Sequence, residues 1–240
     1  MKRTVLFGAV LFCTGSLLGA DAASEIKAAA KKLADKANYS WKTTSESAGG
    51  GGGNRGRMGP TEGKVDKDGI IQLTMTRGDN TTEAVVKSGK GAIKTEEGWK
   101  SLSEAAESGG DGGFNPRQFM ARTLQNYKAP AVEAEDLAGK AKDLKKDGEA
   151  YAGDLTVEGV KSLLGRFRRP GGDAPEVENP KGTIKFWVKD GALSKYEYNV
   201  QGKMTFNNND VDVNRTTTVE IKDVGTTKVN VPEEAKKKLG

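Results

Sequence analysis

The sequence predicts an α+β fold in which helices cover one apolar face of a long antiparallel sheet. Short segments of alternating apolar and polar residues are separated by tight turns such as Asp68-Gly69 and Asp190-Gly191. Asp-Gly turns between alternating segments are the strongest short-range indication of β-hairpins. Three other segments carry apolar residues at helical spacing, and they can cover the apolar face that such a sheet must bury.

The first 22 residues have the order of a secretory signal peptide. A basic start precedes an apolar run from Val5 to Phe12, and the small residues Ala20 to Ala23 follow. That order predicts cleavage after Ala22 and a periplasmic or secreted mature protein. The apolar run is shorter than the ~20 residues that span a bilayer, so no transmembrane segment is expected after cleavage.

The chain has no histidine and a single cysteine, Cys13, which leaves with the signal peptide. These absences exclude the Ser-His-Asp triad, the Cys-His pair and imidazole zinc sites. We therefore expect no catalytic residue, no metal and no cofactor. A net charge of +5 is too small to indicate a nucleic-acid partner. A lipid-modified Cys13 is the alternative to simple cleavage, but Phe12 before it is bulkier than that processing requires.

The N-terminal half of the mature chain predicts one helix followed by a meander of strands. The helix begins with Ser24 as a possible N-cap and ends at Asn38, since Ile26, Ala30 and Leu33 recur at helical spacing. Alternation and turn residues predict the following strands. They are 39–45, 63–66, 70–77, 81–87, 92–95 and 99–102.

A glycine-rich segment, 48–60, separates the first two of these strands. It contains five consecutive glycines, Gly49 to Gly53. A phosphate-binding loop would need Gly-Lys-Ser/Thr at a helix entrance, and none follows. The composition therefore predicts a flexible loop.

The middle of the chain predicts two further helices. Asn115-Pro116 opens one that Ala129-Pro130 ends, and Thr156 is a plausible cap for another that reaches Phe167. A strand, 149–155, precedes the second helix, and a linker, 169–180, follows it. The pattern of 131–148 fits a surface helix and a strand pair equally well.

Three arginines, Arg166, Arg168 and Arg169, cluster where this helix ends. They are candidates for contact with an anionic lipid headgroup or polysaccharide. The alternative is a basic helix end that complements the helix dipole.

The last third is the clearest strand region. Alternation predicts strands at 182–189, 193–202, 215–222 and 227–231, and Pro232 opens a short last helix. The mature chain, 23–240, is expected to form a single domain.

The C-terminal pattern resembles that of the periplasmic lipoprotein-carrier superfamily, the LolA and LppX/LprG-like proteins. A strand with Trp-Val-Lys-Asp-Gly at 187–191 is followed by a return strand, a Thr-rich strand that ends in Asp223-Val224-Gly225, and Pro232. The order of helix, strand, meander and Gly-Trp-Lys at 98–100 is similar too. The resemblance implies a strongly curved half-barrel whose helices lie on its concave face and leave an apolar pocket. It implies no catalytic residues.

Helices on a curved sheet leave gaps that are natural sites for apolar ligands. We therefore expect an extracytoplasmic, non-enzymatic carrier or sensor of a lipid, lipoprotein or other apolar ligand. The alternatives are an envelope protein that binds anionic polymers or a protein partner, and a carboxylate-based hydrolase. The candidate residues of the apolar interior are Tyr39, Trp41, Ile71, Leu73, Val85, Trp99, Phe119, Leu163, Phe186, Val188, Tyr196 and Tyr198.

Overall fold

The computed structural model describes residues 18–48, 59–107, 115–165, 176–206 and 209–239. Within these ranges the chain forms six helices and eleven strands. The helices are α1 Leu18–Ala34, α2 Leu102–Glu107, α3 Pro116–Gln125, α4 Pro130–Gly139, α5 Val157–Leu164 and α6 Glu233–Lys236. The strands are β1 Asn38–Ser47, β2 Thr61–Asp66, β3 Ile71–Arg77, β4 Asn80–Lys87, β5 Lys90–Thr95, β6 Gly98–Ser101, β7 Ala141–Asp147, β8 Ala150–Leu155, β9 Val177–Lys189, β10 Ala192–Phe206 and β11 Asn209–Lys222.

All the described strands belong to one antiparallel sheet in the order β6-β5-β4-β3-β2-β1-β11-β10-β9-β8-β7. Two meanders, β1 to β6 and β7 to β11, join where the first strand pairs with the last. The sheet curves into an open half-barrel, and helices cover its concave face. The α+β half-barrel that the sequence and its resemblance predict is therefore confirmed.

Local turn chemistry explains why the strands form where the sequence predicts them. In the β2–β3 turn, the Asp66 side chain accepts hydrogen bonds from the backbone N–H groups of Asp68 (3.0 Å) and Ile70 (2.9 Å). Gly69 adopts a φ of +74°, which favours glycine. Asp190 and Gly191 make the corresponding turn between β9 and β10, both with positive φ.

The two faces of the sheet carry separate apolar clusters. On β4, Ala84 and Val86 belong to the main core, whereas Val85 between them belongs to a second cluster. Successive strand residues point to opposite faces. Among the described helices, α1 to α5 supply residues to the main core on the concave face, and α6 packs against the convex face through Ala235.

Helix boundaries follow their capping residues. The Thr156 hydroxyl accepts a hydrogen bond from the Gly159 N–H at 3.1 Å, which confirms it as the N-cap of α5. The Asn115 side chain caps α3 in the same way. The expected helix end at Ala129-Pro130 was wrong: α3 ends at Gln125, and Pro130 is the first residue of α4, a position that tolerates the missing N–H of proline.

The structure resolves the open choice at 131–148, because α4 occupies its first part and β7 its second. It also corrects three boundaries. Helix α1 begins at Leu18 and ends at Ala34, before the expected end. Strand β9 begins at Val177, so the end of the expected linker is strand.

The expected strand 227–231 was wrong. This segment makes no ladder, since the Asn230 N–H bonds to the Gln72 side chain at 3.4 Å instead of to backbone. Val231 instead packs against the convex cluster. No helix among the described residues is long and apolar enough to cross a membrane.

Candidate functional site

The concave face gathers most of the residues that the sequence proposes for an apolar interior. Eight of the twelve lie in the main core: Tyr39, Trp41, Ile71, Leu73, Leu163, Phe186, Tyr196 and Tyr198. Each of them is less than 9% exposed. Cross-strand pairing aligns the seven that lie on strands, because paired residues share a face of the sheet, and Leu163 faces them from α5.

The other four candidates lie elsewhere. Val85 and Trp99 pack in the convex cluster against Ala92 and Ala235, so their expected place in the concave interior is corrected. Strands β4 to β6 are covered on both faces of the sheet, so two consecutive residues of one strand can both be buried. Phe119 and Val188 are half-buried.

An aromatic hydroxyl cluster occupies the middle of the concave face. The Trp41 indole N–H donates to the Tyr127 hydroxyl at 3.3 Å, and the two rings stack with centroids 6.5 Å apart. The Tyr39 ring lies 5.7 Å from the Trp41 ring. Its hydroxyl accepts a hydrogen bond from the Ala131 N–H at 3.4 Å, and so satisfies a free donor in the first turn of α4.

Glu133, also in the first turn of α4, accepts a hydrogen bond from the Tyr196 hydroxyl. Helix α4 buries mainly small side chains, Ala131, Ala134 and Ala138, with Leu137 as its one large buried residue. Polar contacts from aromatic residues therefore supplement a small apolar surface where this helix covers the sheet.

Burial keeps these hydroxyls protonated. It raises the pKa of Tyr39 to about 12, although the Ala131 N–H lowers it in part. Burial first, and the Glu133 charge second, raise the pKa values of Tyr127 and Tyr196 above the ordinary value. At neutral pH these groups are neutral hydrogen-bonding partners and are unsuited to proton transfer.

A second polar region lies on the same face farther along β1 and β11. We call Thr43, Ser45, Arg215 and Thr217 the hydroxyl–arginine patch. The Ser45 and Thr217 hydroxyls are 3.1 Å apart, and their residues are register partners. Thr217 is only 4% exposed, and apart from the aromatic residues it is the one buried side chain with a polar group in the described ranges.

This patch was not predicted, although the sequence carries a signal for it. Along β11, Val211, Val213, Val219 and Ile221 alternate on one face, and Arg215 and Thr217 interrupt that apolar row. Continuous registers of β11 with β10 and with β1 keep all six positions on the same face. The arginine in an otherwise apolar alternating row is the sequence signal that indicates this patch.

A depression of ≈ 490 Å³ opens between the end of the β4–β6 meander and helices α2 and α3. Its apolar lining consists of Ile93, Ala105 and Met120. The first two belong to the main core, and Met120 packs against it. Lys100 and Arg117 are among the charged residues of its rim. The depression therefore leads from solvent to the concave-face core.

A second depression, ≈ 640 Å³, lies between α1, α4 and the start of α5. Its lining is largely charged, and Asp136 bridges Lys128 (3.5 Å) and Lys140 (3.2 Å). Because charged side chains form most of the lining and some of them pair with each other, this depression offers little apolar surface to a ligand.

The part of the chain that the structure describes contains no cluster of acidic side chains that could hold a metal ion. The candidate anionic-surface residues Arg166, Arg168 and Arg169 lie outside the described residues, as do 49–58 of the glycine-rich loop.

No family model and no curated protein matches the chain. Solved structures do match it, among them the following two. The Mycobacterium tuberculosis lipoprotein LppX is 11% identical, with a TM-score of 0.48, and the match covers 89% of this chain and 99% of LppX. LprF from Mycobacterium bovis is 10% identical, with a TM-score of 0.45, and the match covers 91% and 99%. The chain is thus similar to LppX and LprF over most of its length, at low sequence identity.

Proposed function

We propose that the protein is an extracytoplasmic, non-enzymatic carrier or sensor that binds a lipid or other apolar ligand on the concave face of its sheet. The observation that carries this proposal is the ≈ 490 Å³ depression, because its apolar lining is continuous with the main core. Its volume lies in the usual range of ligand pockets, about 300 to 1,000 Å³, and its lining is mixed, with three apolar residues among twelve.

Entry requires side chains to move, since the aromatic centre of the concave face is filled. Met120 borders both the depression and the core. A methionine side chain has three rotatable bonds and adapts to irregular space. A ligand chain that enters beside Met120 would displace flexible side chains first and the buried tyrosines last.

The absence of enzymatic activity rests on the chemistry of the available groups. The sequence has no histidine, and its one cysteine is Cys13. The buried tyrosines that line the concave face are held neutral. Binding needs none of these groups to react.

The signal-peptide pattern supports a periplasmic or secreted location. A cut after Ala22 would fall inside α1, whose residues Ile26, Ala30 and Leu33 bury the helix in the main core. The shortened helix would keep these three anchors, so we propose that the mature domain retains its fold.

Mass spectrometry of protein purified from its native host tests the proposal. A lipid-sized mass that remains bound under native conditions and leaves under denaturing conditions would support it. A bare polypeptide mass, together with no uptake of an added fluorescent fatty acid or its ester, would contradict it and favour the envelope interaction role.

Two variants locate the site. Met120→Glu places a charge in the apolar lining and should reduce uptake of the probe. Val132→Glu makes the same change at a residue that is 49% exposed in the charged depression, and it should leave uptake unchanged. Thermal melting of both variants checks that they are folded.

A further inference from the structure

The hydroxyl–arginine patch interrupts the apolar row of β11. Strands β1 and β11 are the middle of the sheet, and Arg215 is the register partner of Ser47 on one side and of Val200 on the other. Val200 is fully buried in the main core. A guanidinium is therefore held, half-buried, on the same face as that core.

A charge on an apolar face lowers stability unless it gains compensating interactions. Positions where a sequence breaks its own pattern are often functional. Arg215 and Thr217 are such positions in the apolar row of β11. A ligand group of opposite charge is one compensation that the geometry allows.

The donors of the patch match an oxyanion. When the Ser45 and Thr217 hydroxyls, 3.1 Å apart, share one hydrogen bond, one hydroxyl hydrogen remains directed elsewhere. Arg215 is two residues from Thr217 on the same face, and its guanidinium has five N–H donors. It can thus bind an anion in addition to the contacts it already makes, and such charge-assisted bonds are strong.

We propose that the hydroxyl–arginine patch binds the oxyanion headgroup, a carboxylate or a phosphate, of an anionic amphiphile whose chain lies on the neighbouring apolar surface. This inference rests on the proposed function, and it specifies the ligand class for the same face. Half-buried Met75 and Val213 pack against the main core beside the patch and would contact the chain.

The register connects the patch with the depression. Thr82, which lines the depression, pairs with Met75, and Met75 pairs with Thr61, which pairs with Thr43 of the patch. From Thr82 on β4 to Thr43 on β1 there are three inter-strand steps, a distance of about 14 Å at about 4.8 Å per step. An extended acyl chain can therefore follow one cross-strand row from the opening to the patch.

Fluorescence titration with dansyl-labelled undecanoic acid and with its methyl ester tests the headgroup directly on the unmodified protein. The acid should bind roughly tenfold more tightly or better, because the ester lacks the charge. Arg215→Met and Thr217→Val should bring the affinity for the acid close to that for the ester. Arg122→Met, which removes an exposed arginine of α3, should change neither.

Equal affinity for acid and ester, with no effect of Arg215→Met, would overturn the inference and leave the proposed function intact. Absence of binding by both probes would instead contradict the proposed function itself.

Competition with inorganic phosphate is a second test. Phosphate should displace the acid only at far higher concentration than the acid itself. Displacement at equal concentration would indicate a site for a free anion and would overturn the assignment to an amphiphile. Thermal melting of each variant checks that it is folded, so that a loss of affinity is not caused by unfolding.

Discussion

Gly63 lies directly beneath the indole ring of Trp41. The two residues are register partners on β2 and β1, and a Cβ atom on Gly63 would stand 2.1 Å from Cζ2 and 2.2 Å from Cε2 of that ring. Trp41 is only 2% exposed. The glycine thus creates the space in which the largest side chain of the concave face lies flat on the sheet.

Gly63→Ala should therefore destabilise the protein by about 1–3 kcal/mol, the usual effect of overpacking a core. Trp41 cannot move aside without disturbing its stacking on Tyr127. Chemical denaturation measures the loss. Gly165→Ala is the matched control, because no atom lies within 4 Å of its added Cβ, and it should change stability by less than about 0.5 kcal/mol. Equal effects of the two changes would contradict this account of Trp41.

Removal of the Tyr127 hydroxyl should be costly as well. Tyr127→Phe leaves the Trp41 indole N–H without the partner that it has at 3.3 Å. An unsatisfied buried donor costs about 1–3 kcal/mol. Tyr151→Phe removes a hydroxyl whose bond to Glu25 is exposed, so its effect should stay within about 0.5 kcal/mol. Denaturation of both variants compares them, and a larger loss in Tyr151→Phe would argue against a structural role for the aromatic hydroxyl cluster.

Glu104 should make the attachment of α2 dependent on pH. Its carboxylate accepts a hydrogen bond from the Ser101 N–H at 2.8 Å and contacts the Lys238 ammonium at 3.1 Å. The Ser101 bond first, and Lys238 next, lower the pKa of Glu104 from 4.5 to about 2. A lowered pKa means that the folded state favours the charged form. The stabilisation is therefore complete above pH 4.5 and is lost as the pH falls towards 2.

Thermal melting from pH 7 to pH 2 checks this expectation. Glu104→Gln should melt below the unmodified protein at neutral pH, and the difference should shrink as the pH falls. Lys238→Met keeps the Ser101 bond and should show a smaller difference. A constant difference across the whole range would show that Glu104 does not act through its charge.

Local signals explain which parts of the fold were predictable. Asp68-Gly69 and Asp190-Gly191 determine their hairpins within a few residues, so strand positions around them followed from the sequence. The same holds for Thr156, whose cap depends on Gly159 three residues away. The capping box of Ser101 and Glu104, where the Glu104 N–H also bonds to the Ser101 hydroxyl, was visible in the sequence but not used.

Features that depend on distant partners were not predictable. Val85 is buried and Trp99 half-buried in the cluster that contains Ala235 of α6, which is more than 130 residues away in the chain. The pattern of a single strand cannot reveal cover on its second face. The hydroxyl–arginine patch likewise requires the pairing of β1 with β11 to bring Ser45 to Thr217. The aromatic centre of the concave face was found because large side chains at alternating positions are buried in almost any sheet that helices cover.

The convex cluster should be a stability unit distinct from the main core. Ala235 is fully buried against Val85 and Ala92, so Ala235→Glu must either bury a charge or detach α6 and expose the cluster. We expect a loss of roughly 2 kcal/mol or more. Lys237→Glu changes an exposed residue of the same short segment and should have little effect.

Hydrogen exchange locates the change. The amides of β5 and β6 should exchange faster in Ala235→Glu, whereas those of β9 and β10, which do not contribute to this cluster, should keep their protection. Faster exchange throughout the sheet would show that the two faces unfold as one unit.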